Sequence, residues 1–441
     1  MQINPVKGTH DIIGDEAKEY ELIESRAKMI VELFNYKEIR TPVLEPTNLF
    51  IRSVGESSDI VNKEMYTFND KGDRSLTLRP EVTAGVMRSI VSNKLYATAD
   101  LPLRYYYCGP CFRYERPQAG RYRQFHQFGV EAVGAPTPEL DAETISIGAN
   151  ILAVLGFQNV TIKINSLGDE ETRNAYREAL KAYFAQYIDQ MCPDCKRRYE
   201  VNPLRILDCK VPEDAEIVKG APKLKDFLSD NAKAYFNRVK AALELYGITN
   251  YELDETLVRG LDYYTGVVWE YHIKGENAID VGAAGGGGHY KNLLKEIGGP
   301  DLEGVGLALG VERVHYLWKT LVNTEHIPFG PDVYIMPLGE NVLADAIKFG
   351  EELRSNGYSV EVPFDGKSLK SMFKIATRAN AKFALIIGED ELDRGELTVK
   401  NLHTSVQTSV KAEQLVDVVA ELVEEYMNNY FEKEDNKNGE N

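Results

Sequence analysis

Five arginines, at positions 104, 113, 116, 121 and 123, fall between Arg104 and Gly134 beside only two glutamates, in a chain of formal net charge −17. A locally positive loop on an acidic chain needs a reason, and bound phosphate is the commonest one. The runs Arg104–Arg113 and Arg123–Val133 are rich in aromatic and β-branched residues and read as two strands. Pro117, Ala119 and Gly120 supply the reversal between them. A period of two places Arg123, Phe125, Gln127, Gly129 and Glu131 on one face of the second strand. That face is polar where a core face would be apolar, and a glycine in it suits close approach by a ligand. The competing reading is a hairpin with a solvated tip and its arginines paired to surface carboxylates.

Four further clusters carry chemistry. In LRPEVTAG, Pro80 suits the first position of a helix and Glu81 the first turn, where the dipole favours a carboxylate. In RGLDYY, Arg259 and Asp262 can form a buried ion pair. In GLALGVER, a strand turns into a helix with Arg313 in its first turn, which makes an anion site. Gly282–Gly288 (GAAGGGG) fits neither a P-loop nor the dinucleotide spacing. Its consecutive glycines do let the backbone pass close under a flat ligand.

The five cysteines fit no disulfide framework. Cys108-Gly-Pro-Cys111 spells a dithiol redox tetrapeptide, but it sits inside a strand pattern and not at the helix N-terminus that lowers a thiol pKa. Cys192-Pro-Asp-Cys195 with Cys209 is three-quarters of a zinc set. No histidine or further cysteine lies near enough in sequence to complete it, so reduced structural thiols are expected and no metal ligand is assigned.

The elements that must position these groups follow from periodicity. An amphipathic helix is expected over Asp15–Asn35, followed by an extended run Glu38–Glu45 with Pro42 at an edge or bulge. Strands are expected at Glu64–Asn69, Ser75–Leu78, Asn159–Asn165 and Val305–Leu309, with a helix at Pro138–Leu155 and a strand emerging from Leu257–Tyr271. Residues 169–250 are helical and charged, and read as an insertion. Past a linker at Asn323–Pro331, the order β-α-β-α-β-β-α runs from Asp332 to a last helix at Lys411–Met427, a small and mostly parallel α/β domain. A polar tail, 428–441, is expected to fray.

At 441 residues the chain has room for two or three domains. No apolar run approaches the roughly 18 residues of a membrane span, and the N-terminus lacks the layout of a signal peptide, so a cytoplasmic protein without membrane contact is expected. The acidic balance argues against a protein that coats nucleic acid non-specifically. A specific RNA ligand would need local basic patches, because charges beyond about 8 Å are largely screened.

The series Phe112, Arg113, Glu115, Arg123, Phe125, Gln127, Gly129, Glu131 resembles motif 2 of the class II aminoacyl-tRNA synthetases. RYRQFHQ and RGLDYY are similar to the histidyl-tRNA synthetase branch, GLALGVER resembles motif 3, and the helix, strand and Pro42 near the N-terminus resemble motif 1. The resemblance implies an α+β catalytic domain, an antiparallel sheet flanked by helices, over residues 1–325, with the helical insertion at about 169–250. It implies an α/β anticodon-binding domain at 331–427 and a homodimer through the motif 1 region. It implies activation of L-histidine by ATP with Mg²⁺, then transfer to tRNA(His). Arg113, Glu115 and Arg313 would bind ATP, and Arg113 and Arg259 would act at the α-phosphate. Glu81, Thr83, Gln127, Glu131, Arg259, Tyr263 and Tyr264 would bind histidine. Arg116, Gln118, Arg121 and Arg123 would meet the tRNA acceptor end. The family's Arg-Tyr-Asp after the glycine stretch is here His289-Tyr290-Lys291, so those two charged roles are not carried over. The alternative is a non-catalytic, histidine-binding regulatory subunit, which resembles the catalytic body alone.

Overall fold

The computed structural model describes residues 3–55, 58–97, 99–209, 211–275, 281–322, 329–339 and 341–438. The chain divides into two compact units, Met1–Val322 and Asn323–Asn441. Residues 323–328 of the expected linker lie outside the described residues.

The first unit is built on an eight-stranded sheet. Its strands are β1 (Lys37–Glu38), β5 (Leu103–Phe112), β6 (Gln124–Val133), β7 (Val160–Ser166), β8 (Tyr251–Leu253), β9 (Tyr264–Ile273), β10 (Gly285–Tyr290) and β11 (Gly304–Gly310). Three more strands, β2 (Leu44–Pro46), β3 (Tyr66–Asn69) and β4 (Ser75–Leu78), form a separate antiparallel sheet in the order β2-β4-β3. The large sheet runs β1-β5-β6-β11-β10-β9-β7-β8. Its six central strands are antiparallel, as the resemblance implies, while the short edge strands β1 and β8 pair parallel.

Helices α1 (Asp15–Leu33), α2 (Thr47–Val54), α3 (Thr83–Ser92) and α4 (Pro138–Val154) precede the insertion. The insertion itself carries α5 (Glu170–Phe184), α6 (Pro193–Val201), α7 (Ala215–Lys219) and α8 (Asp230–Leu245), and after it come α9 (Leu293–Glu296) and α10 (Val311–Leu321). α4 starts where Thr137 caps it, Oγ1 accepting the Leu140 amide at 3.3 Å, with Pro138 in the first turn. One face of the sheet packs on α1, α4 and α10. There Trp269 and Tyr271 are fully buried, and the Tyr271 hydroxyl donates to the Ile145 carbonyl at 2.8 Å. On the opposite face α3 supplies Val86, Met87 and Ile90 to a core with Tyr107, Tyr264 and Tyr290.

Two expectations in this unit need correction. The extended run Glu38–Glu45 is two short strands in different sheets. Pro42 falls in the break, where the Arg79 guanidinium takes the Thr41 carbonyl at 3.0 Å and the Arg79 amide the Val43 carbonyl at 2.9 Å. The helix expected from Pro80 begins at Thr83. Glu81 lies before it and accepts the Ala84 amide at 2.8 Å, satisfying one of the orphan donors of the first turn.

The second unit holds β12 (Val333–Leu338), β13 (Val360–Glu361), β14 (Phe383–Gly388), β15 (Glu396–Asn401) and β16 (Gln407–Lys411) in the order β13-β12-β14-β15-β16. Three strands are parallel, and β15 and β16 form an antiparallel hairpin on β14. Helices α11 (Leu343–Ser355), α12 (Leu369–Arg378), α13 (Glu389–Asp393) and α14 (Leu415–Asn438) complete it. β16 was not expected. Its sequence QTSVK buries only Val410, too weak an alternation to register. Lys411 therefore ends a strand, and the last helix starts at Leu415 and continues through Asn438, into the expected frayed tail.

Candidate functional site

The site lies on the face of the large sheet that α3 covers in part. Its floor is made by the absence of side chains. Across β6, β11 and β10 the register sets Gly129 beside Ala308 and Gly286, and Glu131 beside Gly306 and Gly288. A Cβ on Gly288 would lie 2.5 Å from the Tyr264 ring, and one on Gly286 would lie 3.0 Å from the Arg259 guanidinium. Glycine at these two positions is what brings Tyr264 and Arg259 down onto the sheet. Sequence reading caught the glycine run of β10 but missed its continuation in β11. The signal was there: in Gly304–Gly310 (GVGLALG) small and large residues alternate strictly.

At one end stands Glu131, buried on β6. Thr83 Oγ1 donates to its Oε1 at 2.7 Å, the Tyr107 hydroxyl to the same oxygen at 3.2 Å, and the Tyr290 hydroxyl to Oε2 at 2.7 Å. Burial nevertheless wins over these donors and pushes the Glu131 pKa up to about 8. Tyr263 and Tyr264 lie with ring centroids 4.5 Å apart, and Tyr263 meets Tyr290 edge-on at 5.8 Å. Burial raises Tyr264 to about 12, against the pull of Arg259. Glu81 is also buried and held above the ordinary carboxylate range by that burial. Gln127, on the same face of β6, receives the Cys111 thiol on Oε1 at 3.3 Å. Tyr107 and Tyr290, both holding Glu131, were missed as site residues.

At the other end arginines converge. Arg113 follows β5, donates from Nε to the Pro80 carbonyl at 2.9 Å and stacks over Phe125 at 5.3 Å. Arg313, in the first turn of α10, donates to the Ala283 carbonyl at 2.8 Å. Burial first, then Arg121, with Arg113 and Arg259 adding, push Arg313 down to about 10 while Glu115 opposes them. Glu115 sits 3.9 Å from Arg113 and 3.7 Å from Arg121. The Nε atoms of Arg121 and Arg259 are buried without a hydrogen-bond partner. Arg313 is repelled by its neighbours more than Glu115 offsets, and two Nε donors lack acceptors, which is the state a polyanion relieves.

The loop between β5 and β6 folds partly inward. Arg121 belongs to the arginine cluster. Arg123 stacks over Tyr114 at 3.8 Å and donates to the Glu115 carbonyl at 3.3 Å, so its guanidinium is engaged within the loop. The tip is a tight turn in which Gln118 and Arg121 exchange backbone hydrogen bonds at 3.2 and 2.9 Å around Gly120, whose φ is 64°. Arg116 and Gln118 are exposed, and Arg116 has no ion pair among the described residues.

RGLDYY does not form the competing structural pair of Arg259 with Asp262. Arg259 pairs with Glu270 of β9. Burial works against its charge, and Glu270 more than offsets that, leaving its pKa raised. Asp262 is held by Arg205 of the insertion, from Nε at 2.8 Å and from the terminal nitrogen at 2.6 Å. The same guanidinium donates to the Arg259 carbonyl at 2.8 Å. Arg205 and Glu270 lie 54 and 11 residues from Arg259, and nothing in their local sequence announces the contact. His289 and Lys291 turn away from the site. His289 bridges Asp141 at 3.0 Å and Glu303 at 2.9 Å, and Lys291 lies 3.6 Å from Glu303. Cys108 and Cys111 alternate across β5, and burial raises both thiols, Cys111 to about 12, which removes the redox reading.

Residues 8–314 match the family profile described as histidyl-tRNA synthetase. The chain belongs to the histidyl-tRNA synthetase family. Residues 332–422 match the anticodon binding domain profile. The chain is 47% identical over 427 residues to a histidine–tRNA ligase of Thermosipho melanesiensis, covering 95% of this chain and 99% of that one. It is 43% identical to that of Bacillus subtilis, with 95% and 99% covered. Among solved structures it resembles the apo S. aureus histidyl-tRNA synthetase, with a TM-score of 0.80, 37% identity, and 95% and 100% of the two chains covered. A Bacillus halodurans protein titled ATP phosphoribosyltransferase regulatory subunit/histidyl-tRNA synthetase shares the fold at TM-score 0.64 and 21% identity, with 88% and 98% covered. The fold by itself is thus common to catalytic histidyl-tRNA synthetases and that protein. Membership is carried by the family profile and by identity over nearly the whole chain. Among the described residues no helix is long and apolar enough to cross a membrane.

Proposed function

We propose that this member of the histidyl-tRNA synthetase family activates L-histidine with ATP and passes it to tRNA(His), with the two ends of the site dividing the substrate between them. The observation that carries the reading is the self-repelling arginine cluster next to a buried, hydroxyl-held carboxylate. Glu131 and Tyr264 take the two imidazole nitrogens, with Tyr263 packed against Tyr264. A carboxyl whose pKa lies near neutrality can accept from a ring N–H or donate to a bare ring nitrogen. Glu81 and Thr83 are acceptors for the α-ammonium, and the Gln127 amide donates to the carboxylate.

Arg113 and Arg259 neutralise charge at the α-phosphate as it builds, Arg259 also steering the histidine carboxylate, and Arg313 meets the γ-phosphate. Glu115 closes the ATP end, and Arg121 belongs with the ATP arginines as much as with the tRNA loop. Mg²⁺ keeps several waters and needs only one or two carboxylates besides phosphates. Glu115, 3.9 Å from Arg113 and 3.7 Å from Arg121 at the ATP end, fits that need. When bound, the ion would neutralise the outer phosphates. Arg116 and Gln118 reach the acceptor end of tRNA on a loop braced by Arg123, and the second unit grips the anticodon. A cytoplasmic homodimer through the motif 1 region completes the proposal.

The regulatory alternative is disfavoured by the 43–47% identity to ligases over nearly the full length. Histidine-dependent exchange of pyrophosphate into ATP by the purified chain tests the reading. Robust exchange is expected, and none at saturating histidine overturns it.

A further inference from the structure

The cysteines left over in the insertion meet a fourth group that spacing did not reveal. Cys192 caps α6, Cys195 lies in its first turn, Cys209 follows a 3-10 segment at Pro203–Asp208, and Asp214 precedes α7. One ligand atom from each lies within 4.8 Å of all the others. We propose that Cys192, Cys195, Cys209 and Asp214 form a structural site for one zinc ion, which fastens the segment carrying Arg205.

Geometry supports a metal over a disulfide. Tetrahedral zinc with sulfur at about 2.3 Å separates its ligand atoms by about 3.8 Å. Cys192 Sγ and Cys209 Sγ are 3.9 Å apart, and Cys209 Sγ is 3.2 Å from an Asp214 oxygen. All three thiols are free. Pairing any two would leave the third unused.

Charge supports it too. Asp214 is 1% exposed, and among the described residues no cation pairs with it. A buried carboxylate without a counter-charge is costly, and a divalent ion supplies one. The surrounding polar groups are already aimed as outer-shell partners. The Cys195 amide donates to Cys192 Sγ at 3.4 Å, and the Cys192 amide to the Asp214 oxygens at 3.3 and 3.2 Å. The insertion packs around a small core that includes Tyr176, Leu180, Phe184, Cys195 and Ile206, the setting in which a metal staple adds most.

Cys195 and Cys209 bracket the turn that carries Arg205, and Arg205 holds Asp262 and the Arg259 carbonyl. The ion therefore braces a positioning residue without touching substrate.

Metal analysis of the full chain, purified with reductant and without chelator, should find close to one zinc per chain. Cobalt(II) replacing it should give thiolate charge-transfer bands and the d–d spectrum of a tetrahedral site. Cys209→Ser should weaken zinc binding beyond the roughly 10–100-fold cost of losing an outer-shell partner. Asp214→Cys, which supplies another zinc ligand, should retain the ion. Folded, reduced chain that takes up no zinc and shows no cobalt bands would overturn the site. Zinc affinity in Asp214→Ala equal to that of the parent would remove Asp214 from the ligand set. Chelation should raise amide exchange over 192–214 and also over 259–264, and exchange confined to the first segment would sever the link to Arg205.

Discussion

The two ends of the site solve opposite problems. Around Glu131 every carboxylate oxygen has a hydroxyl donor, at 2.7 to 3.2 Å, before any ligand arrives. Around Arg313 three arginines face one glutamate, Glu115, and the buried Nε atoms of Arg121 and Arg259 have no acceptor. The first end is finished and rigid, which suits discrimination, because a wrong side chain leaves a buried polar group unpaired. The second is unfinished, and the proposed phosphates would complete it at a standing cost to the empty folded chain.

The contrast can be broken most severely at Glu131. Glu131→Ala should lower kcat/KM for histidine by a factor on the order of 10⁴, while ATP affinity stays as it was. Unchanged histidine affinity would move imidazole recognition elsewhere. Arg259→Lys comes next. Lysine keeps the charge but not the fork, and loss of one preorganised group costs about 10²–10³ in rate. The loss should fall on adenylate formation, whereas transfer from preformed histidyl-adenylate suffers less. If the Glu270 pair is only structural, both half-reactions drop together and the melting temperature falls with them.

A pH titration of stability separates the ends further. The folded pKa of Glu131 is raised to about 8 from an ordinary 4.5, so the folded state holds a proton that the unfolded state has released. Its contribution is full below the unfolded value and is lost as pH rises through about 8. Over the two pH units below 8 that is about 2 kcal/mol. Glu131→Gln should flatten the slope, and an unaltered profile of melting temperature against pH would show that Glu131 titrates normally. The smallest effect belongs to the arginine end. Arg121→Gln removes repulsion from Arg313 at the expense of a loose pair with Glu115, so the nucleotide-free chain should gain roughly 0.5 kcal/mol. ATP should stabilise the variant less than the parent in the same melting assay. A lower melting temperature without nucleotide would mean that the cluster is not self-repelling.

Much of the site was legible because its residues sit in dense local series. Phe112 to Glu131 spans one hairpin, so a period of two was enough to put Gln127 and Glu131 on one face. What stayed hidden joins distant segments. Tyr107 and Tyr290 reach Glu131 across the sheet, 24 and 159 residues away, and Asp214 meets Cys192 across 22 residues. The boundary of α3 was misjudged because Pro80 and Glu81 satisfy the local rules for a helix start. The chain delays the helix to Thr83 and uses the Glu81 carboxylate on the Ala84 amide.

Residue types and short spacings, by themselves, pointed to an anion site at the arginine hairpin and at Arg313, and to two units separated by a linker; the histidine roles of Glu131 and Tyr264 came only with the family resemblance. Tertiary structure decided the wiring. Arg259 pairs with Glu270, and Asp262 with Arg205, because the sheet carries Glu270 in register with Gly286 and the insertion brings Arg205 within hydrogen-bond reach of Asp262. Charge pairing is set by proximity and desolvation, and neither is written in the local order of the residues.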